Sequence, residues 1–374
     1  MAKTVFVSGC YEILHAGHVE FFRQARALGE RLVVCAASDL TIWKLKNRHA
    51  AIPQSHRVAL LSELKSVNYV VIDDGSSDDP VWNFAHDVER LAPDIIAVTT
   101  DDPHIAAKRD CCRGRKIELV VLAKTSPCIE QTSTSEIRRK AAAPARVPLR
   151  LDFAGGWLDV PGLADVGGYV VNLAISPTVS LRDWRYEKCG GLGGSAALAV
   201  LDGRNGVDSE LQAGAGWQDP AVISETGLCV WAGCEKTPRL ILRTNAGWLG
   251  GKLAIRWTGR GHMTADLVHR PRDYDLIRKA SEQARAAVQT RDLGYLSDAI
   301  RLSHKAQVAE GMPELNQCSA VAAKYAGSGW GGYAMYLFSS QLFRDSFVKA
   351  TADGSMAVEA YDRWGTNGSR EAQA

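Results

Sequence analysis

The chain has 374 residues, with 44 Lys and Arg against 42 Asp and Glu and a formal net charge of +2. That length is more than one compact domain usually holds, so two domains are expected. A hydrophobic content of 46% and a charged content of 23% fit an ordinary globular protein, and the near-balanced charge gives no footprint for nucleic acid or a membrane surface.

No apolar run reaches the length of a membrane span, and the N-terminus enters a strand pattern at once without a signal-peptide layout, so a cytoplasmic protein is expected. The nine cysteines are scattered, only Cys111 and Cys112 are adjacent, and no CxxC pair occurs. That distribution favours neither a zinc site nor a disulfide framework.

Residues 1–140 alternate strand and helix signals. Strand-like runs are Thr4–Ser8, Arg31–Ala36, Tyr69–Ile72, Ile95–Thr99 and Glu118–Leu122. Helical patterns lie between them at His18–Leu28, Arg57–Leu64 and Val81–Leu91. This alternation predicts an α/β unit, a Rossmann-like doubly wound parallel sheet, with ligands at the carboxyl ends of its strands.

His15-Ala16-Gly17-His18 falls at such an end, where the first strand gives way to a helix. Two imidazoles can donate N–H bonds to the equatorial oxygens of an α-phosphate under attack. Gly17 leaves room for the phosphate, and the helix start adds unpaired N–H groups. Lys44-Leu45-Lys46 follows the second strand, within reach of substrate phosphates. Taken alone, a Lys-x-Lys is usually a solvated face. Ser133-Thr134-Ser135-Glu136 reads as a capping box and, more sharply, as a second anion site for the leaving β- and γ-phosphates.

Ala141–Val147 interrupts the pattern as a linker, and residues 148–374 form the expected second domain. That half is rich in glycine and tryptophan, with a helical stripe at Tyr274–Gln289. Gly190-Gly191-Leu192-Gly193-Gly194-Ser195 runs into an Ala/Leu segment, and its successive backbone N–H groups can cradle phosphates. It lacks the Lys-Ser/Thr of a P-loop, and a plain flexible loop is an equal reading.

Residues 4–140 resemble the cytidylyltransferase-like nucleotidyltransferases. The likeness is carried by Ser8-Gly9-Cys10-Tyr11-Glu12-Ile13-Leu14-His15-Ala16-Gly17-His18 and by Ser133-Thr134-Ser135-Glu136-Ile137. It is strongest to the adenylyltransferase members of bifunctional ADP-heptose enzymes, which act on a sugar 1-phosphate. The resemblance implies catalytic roles for His15, His18 and Lys46. It implies nucleotide and phosphate contacts from Ser8, Gly9, Gly17, Lys44, Arg57, Asp101, Asp102, Ser133, Thr134 and Ser135. Ser135 stands where the family pattern has a threonine, which keeps a hydroxyl. Lipid-precursor members carry an arginine shortly before the second motif, and Thr125–Glu130 has none.

Pro148–Pro161, Gly191–Ala197 and Ala326–Tyr333 resemble the three motifs of GHMP sugar kinases, nearest to the heptose and fucose kinases. Gly216-Trp217-Gln218-Asp219 and Trp257-Thr258-Gly259-Arg260 match further elements of that branch. An α+β kinase fold is implied. So are Asp219 as the group that orients or deprotonates the sugar hydroxyl and Arg150 as its charge partner. Asp159, Gly327 and Gly329 would bind sugar, and Gly191, Gly193, Gly194 and Ser195 would hold phosphates, with Ser195 on Mg²⁺. Gly194 replaces a serine of that loop, Glu187 replaces its upstream proline, and the spacings to the neighbouring motifs are short. Glu225 is a candidate for the acidic Mg²⁺ ligand.

Together the two resemblances imply a bifunctional enzyme of activated-sugar synthesis. A kinase would phosphorylate a sugar at its anomeric hydroxyl, and a nucleotidyltransferase would join the sugar 1-phosphate to a nucleotide from ATP or CTP, with Mg²⁺ and as a homodimer. The short spacings leave a second reading, an active nucleotidyltransferase with a sugar-sensing or dimerising kinase-like half. A nucleic-acid-binding reading draws only on the likeness of the histidine motif to class I aminoacyl-tRNA synthetases, and the near-neutral charge disfavours it.

Overall fold

The computed structural model describes residues 2–123, 130–162, 166–183, 190–261, 267–316 and 318–364, and the backbone of 370–371. The chain divides into two compact units, Met1–Ala141 and Ala142–Ala374.

The first unit is built on five parallel strands, β1 (Thr4–Gly9), β2 (Arg31–Ala36), β3 (Tyr69–Ile72), β4 (Ile95–Thr99) and β5 (Glu118–Leu122), in the order β3-β2-β1-β4-β5. Successive residues of β1 face opposite sides: Val5 and Val7 join one core with Phe22, Leu32 and Leu61, and Phe6 joins another with Val33, Val88 and Val98. Both faces are therefore covered, as a parallel sheet requires. One layer of helices contains α1 (Ala16–Arg26) and α3 (Gln54–Ser62), and the other α4 (Ala85–Leu91) and α5 (Ile105–Cys112). The doubly wound sheet expected from the alternating pattern is present.

Two more helices of this unit matter for the site. α2 (Asp39–Lys46) begins at Ser38, whose Oγ accepts from the Thr41 amide at 3.1 Å. α6 (Thr134–Ala141) begins at Ser133, whose Oγ accepts from the Glu136 amide at 3.2 Å. The capping role expected of Ser133 is thus observed.

The second unit is α+β. Among its described residues nine strands form an antiparallel sheet: β6 (Val147–Ala154), β7 (Tyr169–Val179), β8 (Leu228–Ala232), β9 (Leu240–Thr244), β10 (Leu253–Trp257), β11 (Ala322–Tyr325), β12 (Tyr333–Leu337), β13 (Ser355–Ala360) and β14 (Arg370–Glu371). The order is β11-β12-β10-β13-β7-β8-β9-β14, with β6 beside β7. Short helices α7 (Gly194–Leu201), α8 (Gly206–Gln212) and α9 (Gln218–Glu225) follow the glycine loop. The long pair α10 (Tyr274–Thr290) and α11 (Leu293–Ala309) buries Ala280, Ala284, Ala287, Leu296, Ala299 and Ile300 in one core with Leu149, Leu151 and Phe153 of β6. α12 (Gln341–Ala350) precedes β13.

Candidate active sites

In the first unit the carboxyl end of β1 opens on a cavity of about 490 Å³. Ser8, Gly9, His15, Gly17, His18, Lys46, Asp101, Asp102, Ser133 and Thr134 all line it. Residues some 120 positions apart in sequence meet here because β1 is the middle strand: Thr134 Oγ1 donates to the Ile13 carbonyl at 3.3 Å.

His15 occupies the N-cap position of α1, and its ring lies 3.9 Å, centroid to centroid, from that of His18. Gly17 lies between them, and a Cβ there would crowd the His15 ring at 3.1 Å. Tyr11 packs edge-on against His18 at 5.4 Å and holds a left-handed φ of 43°, a conformation that favours glycine. Burial pushes its phenol well above the usual range, so it stays neutral.

Glu12 is buried and sits at the centre of the basic groups. Its carboxylate accepts from both terminal guanidinium nitrogens of Arg48 at 2.6 and 2.7 Å, from the Ala51 amide at 2.7 Å and from Lys46 Nζ at 3.3 Å. The Arg48 bonds lead in holding its carboxyl down at about 2. Glu12 thereby fixes Lys46 on the cavity wall.

Three predicted residues are placed elsewhere. Arg57 is 1% exposed and donates to the carbonyls of Cys10, Ala37 and Ile52 and to Asp39, so it braces the loops behind the site. Lys44 Nζ donates to the Gly75 and Ser77 carbonyls at 2.8 and 3.1 Å. Ser135 is not on the cavity wall, although Ser133 and Thr134 are. The stretch without an arginine, 125–130, lies outside the described residues except for Glu130.

The sequence reading missed Lys108 and Asp73, which also line the cavity. Lys108 Nζ donates to Asp102 Oδ2 at 2.7 Å and to the Ser8 carbonyl at 3.1 Å, tying the ends of β1 and β4 together.

In the second unit Arg150 is the hub. It is 3% exposed and donates to Asp219 Oδ1 at 2.5 Å, to Asp152 Oδ1 at 3.0 Å and to the Gly191 carbonyl at 2.7 Å. Burial would lower its pKa, but the carboxylates of Asp219 and Asp152 outweigh that and raise it. Asp152 in turn accepts from the Gly327 amide at 2.6 Å and from Lys324 Nζ. The first motif, the glycine loop, Asp219 and the third motif therefore share one buried ion network. Gly193 carries φ 76°, and a Cβ there would press on Arg150 and Asp219 at 3.2 and 3.3 Å. Only glycine lets the loop approach both.

Asp159 does not present a free carboxylate to a sugar diol. It is 2% exposed, and its oxygens take the Gln218 amide and the Gln218 side chain, each at 3.1 Å. The carboxylate thus binds the first turn of α9, where N–H groups lack helical partners. A Cβ at Gly216 would overlap it. This explains the Gly-Trp-Gln-Asp run: Gly216 admits Asp159, Gln218 grips it, and Asp219 is turned toward Arg150. Burial pushes the Asp159 carboxyl up to about 7. Gly329 also serves packing, with the thioether of Met312 filling the space a Cβ would need.

Ser195 is exposed at the start of α7, close enough to Glu210 of α8 for its hydroxyl to lower the pKa of that carboxyl. Burial first, and the neighbouring Asp219 second, push the Glu210 carboxyl up to about 7. Glu225 instead lies 3.5 Å from Arg243, in a separate cluster with Asp362. Glu210 therefore stands with Asp219 as an acidic group beside the phosphate loop, and Glu225 does not. Glu187 lies outside the described residues.

Residues 6–140 match the family model described as cytidylyltransferase-like. The first unit is a cytidylyltransferase-like domain. Curated relatives align with the chain over a limited part of their length. "Bifunctional protein HldE" of Campylobacter concisus (strain 13826) is 40% identical over 100 residues, 26% of this chain and 20% of that protein. The protein of the same name from Citrifermentans bemidjiense is 32% identical over 142 residues, 37% of this chain and 27% of that protein. The chain thus spans about a fifth to a quarter of the length of the curated relatives it matches.

Among solved structures, the lipopolysaccharide core biosynthesis protein from Thermoplasma volcanium GSS1 aligns at 24% identity and a TM-score of 0.30, over 34% of this chain and 100% of its own. A D-glycero-D-manno-heptose 1-phosphate kinase from Bacteriodes thetaiotaomicron aligns at 16% identity and a TM-score of 0.43, over 58% of this chain and 95% of its own. Among the described residues no helix is long and apolar enough to cross a membrane.

Proposed function

We propose that the chain is a bifunctional enzyme that phosphorylates a sugar in its second unit and converts a sugar 1-phosphate to a nucleotide-sugar in its first. The observation that carries this reading is two separate phosphate-handling constellations on one chain. One is the His15–His18–Lys46–Ser133–Thr134 cavity, and the other is the Arg150–Asp152–Asp219 network under the glycine loop.

In the first unit a phosphate oxygen of the sugar 1-phosphate attacks the α-phosphorus of ATP or CTP. The new O–P bond forms as the bond to the β-phosphate oxygen breaks, and pyrophosphate leaves in line. His15 and His18 donate to the charge that grows on the equatorial oxygens, and Lys46 adds a fixed positive charge. Ser133, Thr134 and the N-terminus of α6 receive the leaving phosphates.

In the second unit the sugar hydroxyl gives its proton to Asp219 while its oxygen bonds the γ-phosphorus and ADP leaves. Arg150 orients Asp219 through the bond from its Nε to Oδ1. Mg²⁺ fits the donor set, since Ser195 and Glu210 offer hard oxygens beside the loop and nucleotide phosphates supply the rest. Bound there, it would neutralise phosphate charge.

The test is direct. Wild-type protein is incubated with ATP, CTP, Mg²⁺ and a panel of sugars and sugar 1-phosphates, and pyrophosphate, ADP and products are measured by enzyme-coupled assay and mass spectrometry. Both activities are expected from one preparation. No pyrophosphate from any sugar 1-phosphate would sink the first half of the reading, and no sugar-dependent ADP the second.

A further inference from the structure

Part of the wall of the first cavity is not used by the phosphate chemistry. It comprises Thr41 of α2, Asp73 just past β3, and Pro80, Val81 and Phe84 of the following segment. Asp73 is 6% exposed. Its Oδ1 takes both of its hydrogen bonds, from Thr41 Oγ1 at 2.6 Å and the Ser38 amide at 3.1 Å. Asn83 Nδ2 donates to Thr41 Oγ1 at 2.7 Å and locks the arrangement. Among the described residues Asp73 Oδ2 accepts no hydrogen bond, and no Lys, Arg or His forms an ion pair with Asp73. A buried carboxylate is costly unless its oxygens find donors or a cation. Asp73 is thus a fixed acceptor with an unused oxygen on a cavity wall.

The geometry points to Asp73 as the group that reads a hydroxyl of the acceptor, in a compartment built for a neutral polyol carried on a phosphate. This inference rests on the nucleotidyl-transfer reading of the first unit. In-line displacement places the attacking oxygen opposite the leaving pyrophosphate. The proposed pyrophosphate site at α6 follows β5, and the histidines follow the central β1. The acceptor therefore enters from the β2–β3 side, where Lys46 faces its phosphate and Asp73 lies beyond. Two strand spacings separate the ends of β1 and β3, about 10 Å. A sugar ring beyond its phosphate fills that span.

The chemistry of the wall distinguishes a polyol from a cationic headgroup. Asp73 alone would suit either. A quaternary ammonium is held by several aromatic faces. This wall has one, Phe84, and Lys108 Nζ already lies 5.9 Å from its centroid. A second cation there would be repelled, whereas the C–H face of a sugar would pack on Val81 and Pro80 with its hydroxyls toward Asp73.

The experiment uses the full chain. Asp73→Asn leaves Oδ1 to its two donors and turns the unused oxygen into an N–H group. The probes are mannose, glucose, fucose and heptose 1-phosphates, their monodeoxy analogues, and phosphocholine, with pyrophosphate release as the readout. For the sugar 1-phosphate that the wild type uses best, Asp73→Asn should lower kcat/KM by about ten- to a hundredfold, the loss expected for one hydrogen bond to a charged group. KM for the nucleotide should stay within about twofold, because the lost bond is made to the acceptor alone. The wild type should also discriminate against one monodeoxy analogue, and that discrimination should vanish in the variant; a merely structural role for Asp73 would leave it intact. If Asp73→Asn fails to fold, Val81→Trp, which fills the same compartment, should raise KM for the acceptor and spare that for the nucleotide. An unchanged acceptor kcat/KM in Asp73→Asn (or, where that variant does not fold, an unchanged acceptor KM in Val81→Trp), a lost nucleotide affinity, or preferred use of phosphocholine overturns the inference while leaving nucleotidyl transfer standing. Failure of the wild type with every sugar 1-phosphate overturns both.

Discussion

The two sites handle phosphate with different electrostatics. In the first unit the carboxylate nearest the basic groups, Glu12, is saturated by Arg48, Lys46 and a backbone amide, and its carboxyl is held down at about 2. In the second unit Asp159 and Glu210 are buried with too few donors, and both carboxyls rise to about 7. The difference follows from architecture. An open parallel sheet gathers its ligand groups at strand ends, where loops supply backbone donors and water. The second site lies between β6, the glycine loop and three short helices, where charges can be balanced only by one another. Glu12 should therefore keep its charge across neutral pH, whereas the carboxyls of Asp159 and Glu210 should change theirs.

The largest expected effects test whether the sites are separate. His18→Ala should lower pyrophosphate release by about a hundred- to ten-thousandfold and leave sugar-dependent ADP formation intact. Asp219→Asn should do the reverse by a similar factor. Both are read with the two assays on one preparation. If either change silences both activities in a protein with an unaltered melting profile, the comparison between two independent sites fails.

Next in size is the buried ion network. Lys324 is 3% exposed and pairs with Asp152, which is wholly buried. Lys324→Met should destabilise the second unit by about 3–5 kcal/mol, because it leaves a buried carboxylate short of a cation. Lys324→Met with Asp152→Asn should recover part of that loss. Denaturant unfolding of the single and double variants measures it. A double variant no more stable than the single one would show that Arg150 alone suffices for Asp152.

The sequence made the first unit more legible than the second, and the reasons are physical. All five parallel strands could be read from it, because strands buried on both faces are nearly continuous apolar runs. The histidine pair and the Ser133 cap stood out because each is a local motif whose parts act together. Asp73 and Lys108 did not, since an aspartate just past a strand and a lysine inside a helix belong to no period and no motif that announces them. In the second unit the strands went unread, as did α8, α9, α11 and α12. Glu210 lies in a seven-residue helix with no signature of its own, and Asp152 is one residue of an eight-residue strand buried throughout. Asp159 and Arg57 show the opposite error. Their residue types suited ligand contacts, but in the fold their polar atoms are taken by Gln218 and by loop carbonyls, which a single sequence does not state.

The smallest expected effect is a pH dependence of opposite sign in the two units. Asp159 and Glu210 have folded-state pKa values near 7, raised above those of the unfolded chain by burial. Such groups favour the folded state below the unfolded pKa, near 4, and that contribution is lost as pH rises through 7. Glu12 runs the other way. Its depressed pKa stabilises the first unit above about 4.5 and is lost only as pH falls toward 2. Scanning calorimetry between pH 5.5 and 8.5 should therefore show the second unit's transition moving down, by about 2–4 °C for each kcal/mol lost, while Glu12 contributes no shift to the first. Glu210→Gln should flatten the slope, since the amide cannot ionise. Magnesium with ATP should flatten it too, by placing positive charge beside the Glu210 carboxylate. A slope that Glu210→Gln leaves unchanged would assign the titration to Asp159 and its grip on α9, and a slope of the opposite sign would refute the contrast between the two sites.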